Sequence, residues 1–282
     1  MTTMTARLTS FGNDGLQFDV RDDGPADGEV ILALHGFPQT SASWRLVTPF
    51  LTAAGFRVLA PDQRGYSPGA RPRRVGDYGL DRLAGDVLAL ADAAGVERFH
   101  LLGHDWGGGV AWQLAATHPD RVRTLSVAST PHPRAMIAAM KGRQAVRLWY
   151  VALFQLPRIP ERLLTRHGGA RARELARRSG MPDPQRVADL FAQPGAATAT
   201  INWYRAMRTP GVPAPGEVHI PVLYVWSDGD TALGRRAADL TARWVTGDYR
   251  FVVLTGVSHW IPDERPRELA ELVLARIAGS AA

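Results

Sequence analysis

Short apolar runs recur along the chain at Val30–Leu34, Arg57–Ala60, Phe99–Leu102, Thr124–Ala128, Val222–Trp226 and Arg250–Leu254. Each is apolar nearly throughout, as strands covered on both faces are. Between them lie longer stretches with helical spacing, near Ser43–Ala54, Leu80–Ala94, Gly108–Thr117, Ala232–Val245 and Pro266–Ala278. This alternation predicts an α/β architecture with a mostly parallel central sheet, flanked by helices through right-handed crossovers.

The alternation stops after Thr130. From Pro131 to Glu217 the pattern is helical, punctuated by proline and arginine, and Pro210, Pro213, Pro215 and Gly216 mark the return to the sheet. Residues 1–130 and 218–282 are therefore expected to form the core. Residues 131–217 are expected to be a helical cap inserted over the sheet.

Composition narrows the chemistry. At 282 residues, 45% hydrophobic and 21% charged, the chain can build one sizeable core. It has no cysteine, which excludes disulfides, thiolate metal sites and a cysteine nucleophile and fits a reducing cytoplasm. Met1 to Asp14 contains no apolar leader segment, and the longest apolar runs are too short to span a bilayer. Neither a membrane nor a nucleic acid is expected as a partner. The net charge of +6 is nearly all arginine, with Lys141 the only lysine. The runs Arg71 to Arg74 and Arg171 to Arg178 lack aromatic interleaving and read as solvated surface charge.

The run Phe99–Leu102 leads into Gly103-His104-Asp105-Trp106-Gly107-Gly108, where a helical pattern begins. Glycines two residues before and two after a polar residue, between strand and helix, are the signature of a nucleophile elbow. The central residue there adopts a strained backbone, and flanking side chains would clash. Here that residue is Asp105 rather than serine. A carboxylate attacks amides poorly, because the resulting anhydride collapses backwards. It can instead displace a leaving group at saturated carbon and form an ester with the substrate. The competing reading is that Asp105 caps the following helix.

Such an ester needs a base to activate water for its hydrolysis. His259, in Gly256-Val257-Ser258-His259-Trp260, follows the last strand and fits that role. Asp230, just past Val222–Trp226, is preferred over Asp228 as the acid that orients it. His104 should point away from the nucleophile and serve packing or hydrogen bonding. The remaining histidines stand alone, with no pair at metal-ligand spacing, so no metal is expected. After the first run, His35-Gly36-Phe37-Pro38 puts the amide of Phe37 where it can pair with that of Trp106 as an oxyanion hole.

These residues resemble the epoxide hydrolases of the α/β-hydrolase fold superfamily. The resemblance spans nearly the whole chain: His35-Gly36-Phe37-Pro38 with Ser43-Trp44-Arg45, then Asp62-Gln63-Arg64-Gly65-Tyr66, the elbow, and the segment Gly256 to Pro266. It implies conversion of a small apolar epoxide to a vicinal diol without a cofactor. It further implies two cap tyrosines that hold the epoxide oxygen. Asn202-Trp203-Tyr204-Arg205 assigns Tyr204, and Trp149-Tyr150 with Leu153 to Pro157 assigns Tyr150, although Val151 departs from the familiar pattern. Phe37, Trp106, Trp149, Phe154 and Trp203 are expected to line the pocket. A haloalkane dehalogenase would use the same aspartate but needs N–H donors for the halide, and Phe37 supplies none through its side chain. The related fluoroacetate dehalogenases carry arginines just after the nucleophile, absent from Trp106 to Gly109. A ligand receptor would not need the set of Asp105, Asp230, His259 and the two tyrosines. The pattern does not fix the oligomeric state.

Overall fold

The computed structural model describes residues 7–140, 143–209 and 214–280. The first six residues, Lys141, Pro210 and Pro213 therefore lie outside the described residues. Eight strands form one sheet: β1 (Ser10–Asn13), β2 (Leu16–Asp23), β3 (Val30–Leu34), β4 (Arg57–Pro61), β5 (Phe99–His104), β6 (Val122–Ala128), β7 (Val222–Ser227) and β8 (Tyr249–Leu254). Their spatial order is β1-β2-β4-β3-β5-β6-β7-β8, antiparallel where β2 meets β1 and β4 and parallel elsewhere.

The apolar strands work because alternate residues enter opposite layers. Leu32 and Leu34 of β3 pack with Leu83, Val87 and Trp112 on one face. Ile31 and Ala33 pack on the other with Leu51, Leu269 and Val273. Full burial of a leucine or isoleucine is worth about 1.5–3 kcal/mol, so both faces hold the sheet firmly.

The sequence pattern did not indicate β1 and β2. They form an edge hairpin in which Phe11 and Phe18 stack at 4.7 Å between ring centroids, while Gln17, Asp19 and Arg21 face outward. Half-exposed edge strands are not continuously apolar, and that hid them. Arg71 also departs from its reading as solvated charge. Its guanidinium donates to the carbonyls of Gly65, Tyr66 and Pro194 at 3.2, 2.8 and 2.9 Å, fastening the β4 loop to the helical stretch.

Between β6 and β7 the described residues form helices and no strand. Most of them build a separate apolar cluster, including Leu164, Val187, Phe191 and Ile201, that closes over Phe37, Trp106 and Trp260 from the loops of the sheet. The first helix, Pro133–Ala139, packs instead against the helix Arg235–Leu240. None of the described helices is long and apolar enough to cross a membrane.

The chain turns one way from β3 to β4 and the other way to β5, so β3 and β5 are neighbours at a topological switch. In parallel sheets the crevice beyond the carboxyl ends at such a switch is where ligands bind.

Candidate active site

Loops from β3 and β5 meet in that crevice. Asp105, one residue past β5, has φ 50° and ψ −122°, a conformation costing on the order of 1–3 kcal/mol for a residue with a side chain. Close packing holds it there. A Cβ on Gly107 would lie 2.1 Å from the carbonyl oxygen of Leu34, and one on Gly36 would lie 2.6 Å from Asp105 Oδ1. Thr130 fixes the same turn by donating through Oγ1 to the carbonyl of Asp105 at 2.7 Å.

The Asp105 carboxylate does not cap the following helix. Its Oδ1 accepts from the N–H of Phe37 at 2.8 Å, and the N–H of Trp106 also stabilises its charge. Its Oδ2 lies 3.5 Å from Nε2 of His259. Burial raises the carboxyl's pKa, but His259 and the neighbouring N–H groups outweigh it and bring it below the usual range. Asp105 is therefore ionised at neutral pH, and 19% of its side chain stays exposed for a reactant to reach.

His259 lies in the loop after β8. Its Nδ1 meets Oδ2 of Asp230 at 2.7 Å, and the other Asp230 oxygen accepts the N–H groups of Ala232 and Leu233, both at 2.8 Å. Burial alone would lower the imidazole's pKa; Asp230 and Asp105 overcome it and push it up to about 10. Asp228 is exposed and accepts from the N–H of Gly256 at 2.8 Å, so its carboxylate is engaged away from the imidazole.

The two tyrosines close the upper side. Tyr204 lies on the helix Ala196–Ala206, with its ring 5.1 Å from that of Trp106 and 5.2 Å from that of Phe37. Tyr150 lies on the helix Trp149–Phe154, 6.0 Å from Tyr204 between ring centroids. Burial raises both phenol pKa values, and Asp105 adds to the rise in each. Both hydroxyls keep their protons at neutral pH and can donate them.

Phe37 and Phe154 pack edge to face at 5.5 Å, bordering the tyrosines. Two expected pocket walls stand elsewhere. Trp149 is 64% exposed, because its position on the short helix turns it off the side that buries Phe154. Trp203 is 1% exposed and packs behind Trp106 in the sheet-side core, with its indole N–H donated to the carbonyl of Arg64 at 2.7 Å. Turned about 100° from Tyr204 along the helix, it faces a different layer. That N–H is therefore committed to backbone and not presented to a halide.

Sequence reasoning missed several supporting residues. Ser129, at φ 70° just after β6, donates through Oγ to the carbonyl of His259 at 2.8 Å. Glu264 accepts the N–H of Ser258 at 3.1 Å, steadying the histidine loop from the next helix. Phe191 lies 6.1 Å from Phe37 between ring centroids and extends the apolar wall. The contacts of Ser129 and Phe191 join segments far apart in the chain and leave no local pattern, whereas Glu264 stands six residues from Ser258 and was a visible acidic signal beside the histidine.

Known proteins share this framework. A family model described as alpha/beta hydrolase fold matches residues 29–266. AB hydrolase superfamily protein YfhM of Bacillus subtilis is 34% identical over 93% of this chain and 94% of its own length. Epoxide hydrolase A of Mycobacterium tuberculosis is 32% identical over 99% of each chain. The crystal structure of Epoxide Hydrolase A from Mycobacterium thermoresistibile superposes with a TM-score of 0.79 at 27% identity, covering 96% of this chain and 97% of that one. With a match this extensive in sequence and fold, the chain belongs to the epoxide hydrolase family of the α/β-hydrolase fold superfamily.

Proposed function

We propose that the protein hydrolyses a small apolar epoxide to a vicinal diol through an ester on Asp105, with no cofactor. The observation that carries this reading is the split environment of one carboxylate. Oδ1 is held by backbone N–H, while Oδ2 faces His259 beneath two protonated phenols.

In this mechanism Oδ2 attacks a ring carbon and the carbon–oxygen bond breaks towards the oxygen. Tyr150 and Tyr204 hold that oxygen, and one of them gives it a proton. Esterification removes the negative charge of Asp105, so the proton His259 carries in the resting ion pair becomes surplus. Its transfer restores the phenol and leaves a neutral imidazole. That imidazole, supported by Asp230, takes a proton from water as the hydroxide adds to the ester carbonyl. The N–H groups of Phe37 and Trp106 stabilise the oxyanion, which collapses to the diol and Asp105 carboxylate. His259 ends protonated, as it began.

Residues 131–217 act as the cap in this reading and supply both phenols and the apolar wall. The commitment of the Trp203 indole to Arg64 supports epoxide chemistry over halide release.

A single turnover of styrene oxide in heavy-oxygen water separates the routes. The ester route first places the label in the Asp105 carboxylate, with an unlabelled first diol. Immediate label in the diol would show direct hydration and overturn the mechanism.

A further inference from the structure

The acid of the site is held from outside the sheet by a helix that the mechanism above does not use. Both Asp230 carboxylate oxygens are engaged, one by His259 and one by the N–H groups of Ala232 and Leu233. The direction of the carboxylate is thus set by the path of the loop from Asp230 to Gly234. The helix Arg143–Arg147 grips that loop at three points. The Gln144 amide donates through Nε2 to the carbonyl of Ala232 at 2.8 Å, and its Oε1 accepts the N–H of Gly234 at 2.9 Å. Nη1 of Arg147 donates to the carbonyl of Asp230 itself at 3.1 Å.

The contact is built rather than incidental. Gln144 is 6% exposed and satisfies both ends of its amide on one loop, a pairing whose loss leaves two half-buried backbone groups without their protein partners. A Cβ on Gly234 would stand 2.8 Å from Gln144 Oε1 and 3.3 Å from Arg147 Nη1, so glycine there admits the close approach. Ala232 links the two sides, since its N–H serves Asp230 and its carbonyl takes the glutamine. On the far side, Nε1 of Trp226 donates to the carbonyl of Leu233 at 2.9 Å and closes the loop from within the sheet.

We propose that Gln144 and Arg147 are positioning residues for Asp230, keeping its carboxylate in line with Nδ1 of His259. The proposal rests on the ester mechanism above. Because the acid serves the histidine and the histidine serves the second step, loosening the clamp slows ester hydrolysis and leaves ester formation intact. An acid that swings out of line also leaves the imidazole free to turn, and a small misplacement in a catalytic array costs on the order of tenfold to a hundredfold in rate.

Quenched single turnovers of styrene oxide, read by intact-protein mass, measure both steps in wild type, Gln144→Ala, Arg147→Met and Arg147→Lys. Expected in the first two variants is ester formation within about twofold of wild type and ester decay slowed about tenfold, so that the adduct accumulates. Arg147→Lys, which keeps a cationic donor, should recover most of the decay rate. Added to Asp230→Ala, Gln144→Ala should change decay no further, because the group it positions is gone. Decay at the wild-type rate, or equal slowing of both steps, would overturn the clamp. So would an undiminished effect on the Asp230→Ala background. Should Gln144→Ala fail to fold, the Arg147 pair reads the same step. Wild-type enzyme that forms diol without any adduct defeats the ester mechanism instead, a result distinct from all of these.

Discussion

His104 donates through Nε2 to the backbone carbonyl of His259 at 2.9 Å, with the two rings 4.9 Å apart between centroids. A carbonyl can only accept, so the His104 proton sits on Nε2, and Nδ1 is left buried without a hydrogen-bond partner. One imidazole thus holds the backbone of the other, and it does so uncharged. Burial and the neighbouring His259 charge lower the His104 pKa to about 4.

Acid sensitivity follows from that depressed value. The unfolded chain takes up the His104 proton near the ordinary pKa of about 6.5, and the folded chain resists until about 4. Stability should therefore fall as pH drops from about 6.5 to about 4. His132, also lowered to about 4 by its burial, adds to the same window. Melting temperatures across this range should show His104→Gln losing less than wild type. Parallel curves would rule out His104 as a contributor.

The opposite sign holds for His259. Its folded pKa of about 10 exceeds the unfolded value, so its contribution is complete below about 6.5 and is lost as pH rises through about 10. Asp230→Asn removes the first of the influences that raise it. Nitrogen-15 spectra of the labelled imidazole should show the pKa falling well below about 10, and the alkaline loss of melting temperature should shrink. An unshifted titration would mean that Asp105 alone holds the proton.

Tyr204→Phe and Tyr150→Phe should slow ester formation and spare ester decay. A general acid contributes about 10²–10⁴-fold. With the second phenol still present, each single variant should lose about tenfold to a hundredfold in kcat/KM, and the double variant far more. Stopped-flow quenching of Trp106 fluorescence can follow ester formation. Equal slowing of both steps would count against a role as proton donors.

Gly36→Ala should disable Asp105, the proposed nucleophile. The new Cβ would stand 2.3 Å from the Cβ of Asp105, displacing the carboxylate from the N–H of Phe37. A loss of at least about a hundredfold in kcat is expected with folding retained. Circular dichroism beside the activity assay checks both halves, and full activity would show that the turn relaxes freely.

Trp149→Ser should leave KM within about twofold, because its indole is mostly in solvent. Phe154→Ala should cost about 3 kcal/mol of stability and raise KM, since its ring packs against Phe37, Tyr150 and Tyr204. Denaturant titration and steady-state kinetics distinguish the two. A large KM change in Trp149→Ser would return that residue to the pocket wall.

The parts of this molecule legible in its sequence are those with a local physical signature. β3 reads out because every residue is apolar, and the elbow because glycines bracket one acidic residue. Asp105, Asp230 and His259 could be singled out since each follows a largely apolar run, and parallel strands end at one edge of the sheet. The hairpin of β1 and β2 escaped because its inward residues, Leu16, Phe18 and Val20, alternate with Gln17, Asp19 and Arg21. Its Asp14-Gly15 turn, with both residues at positive φ, was the available clue. Ser129, Gln144 and Arg147 act through backbone contacts to residues 83 to 130 positions away. No periodicity encodes such distances. Trp149 and Trp203 stand off the crevice because proximity to a tyrosine in sequence does not fix which side of a helix faces it.

The grip of Gln144 and Arg147 on the Asp230 loop bears on how such enzymes can diversify. Much of the aromatic wall comes from the stretch between β6 and β7, and the proposed reacting groups other than the tyrosines come from sheet loops, so a swap of that stretch between homologues looks like a clean way to change substrate range. In this protein the join is not clean. A transplanted segment must bring matching partners for Ala232, Gly234 and the Asp230 carbonyl, or a chimera that accepts a new epoxide would stall with it still attached.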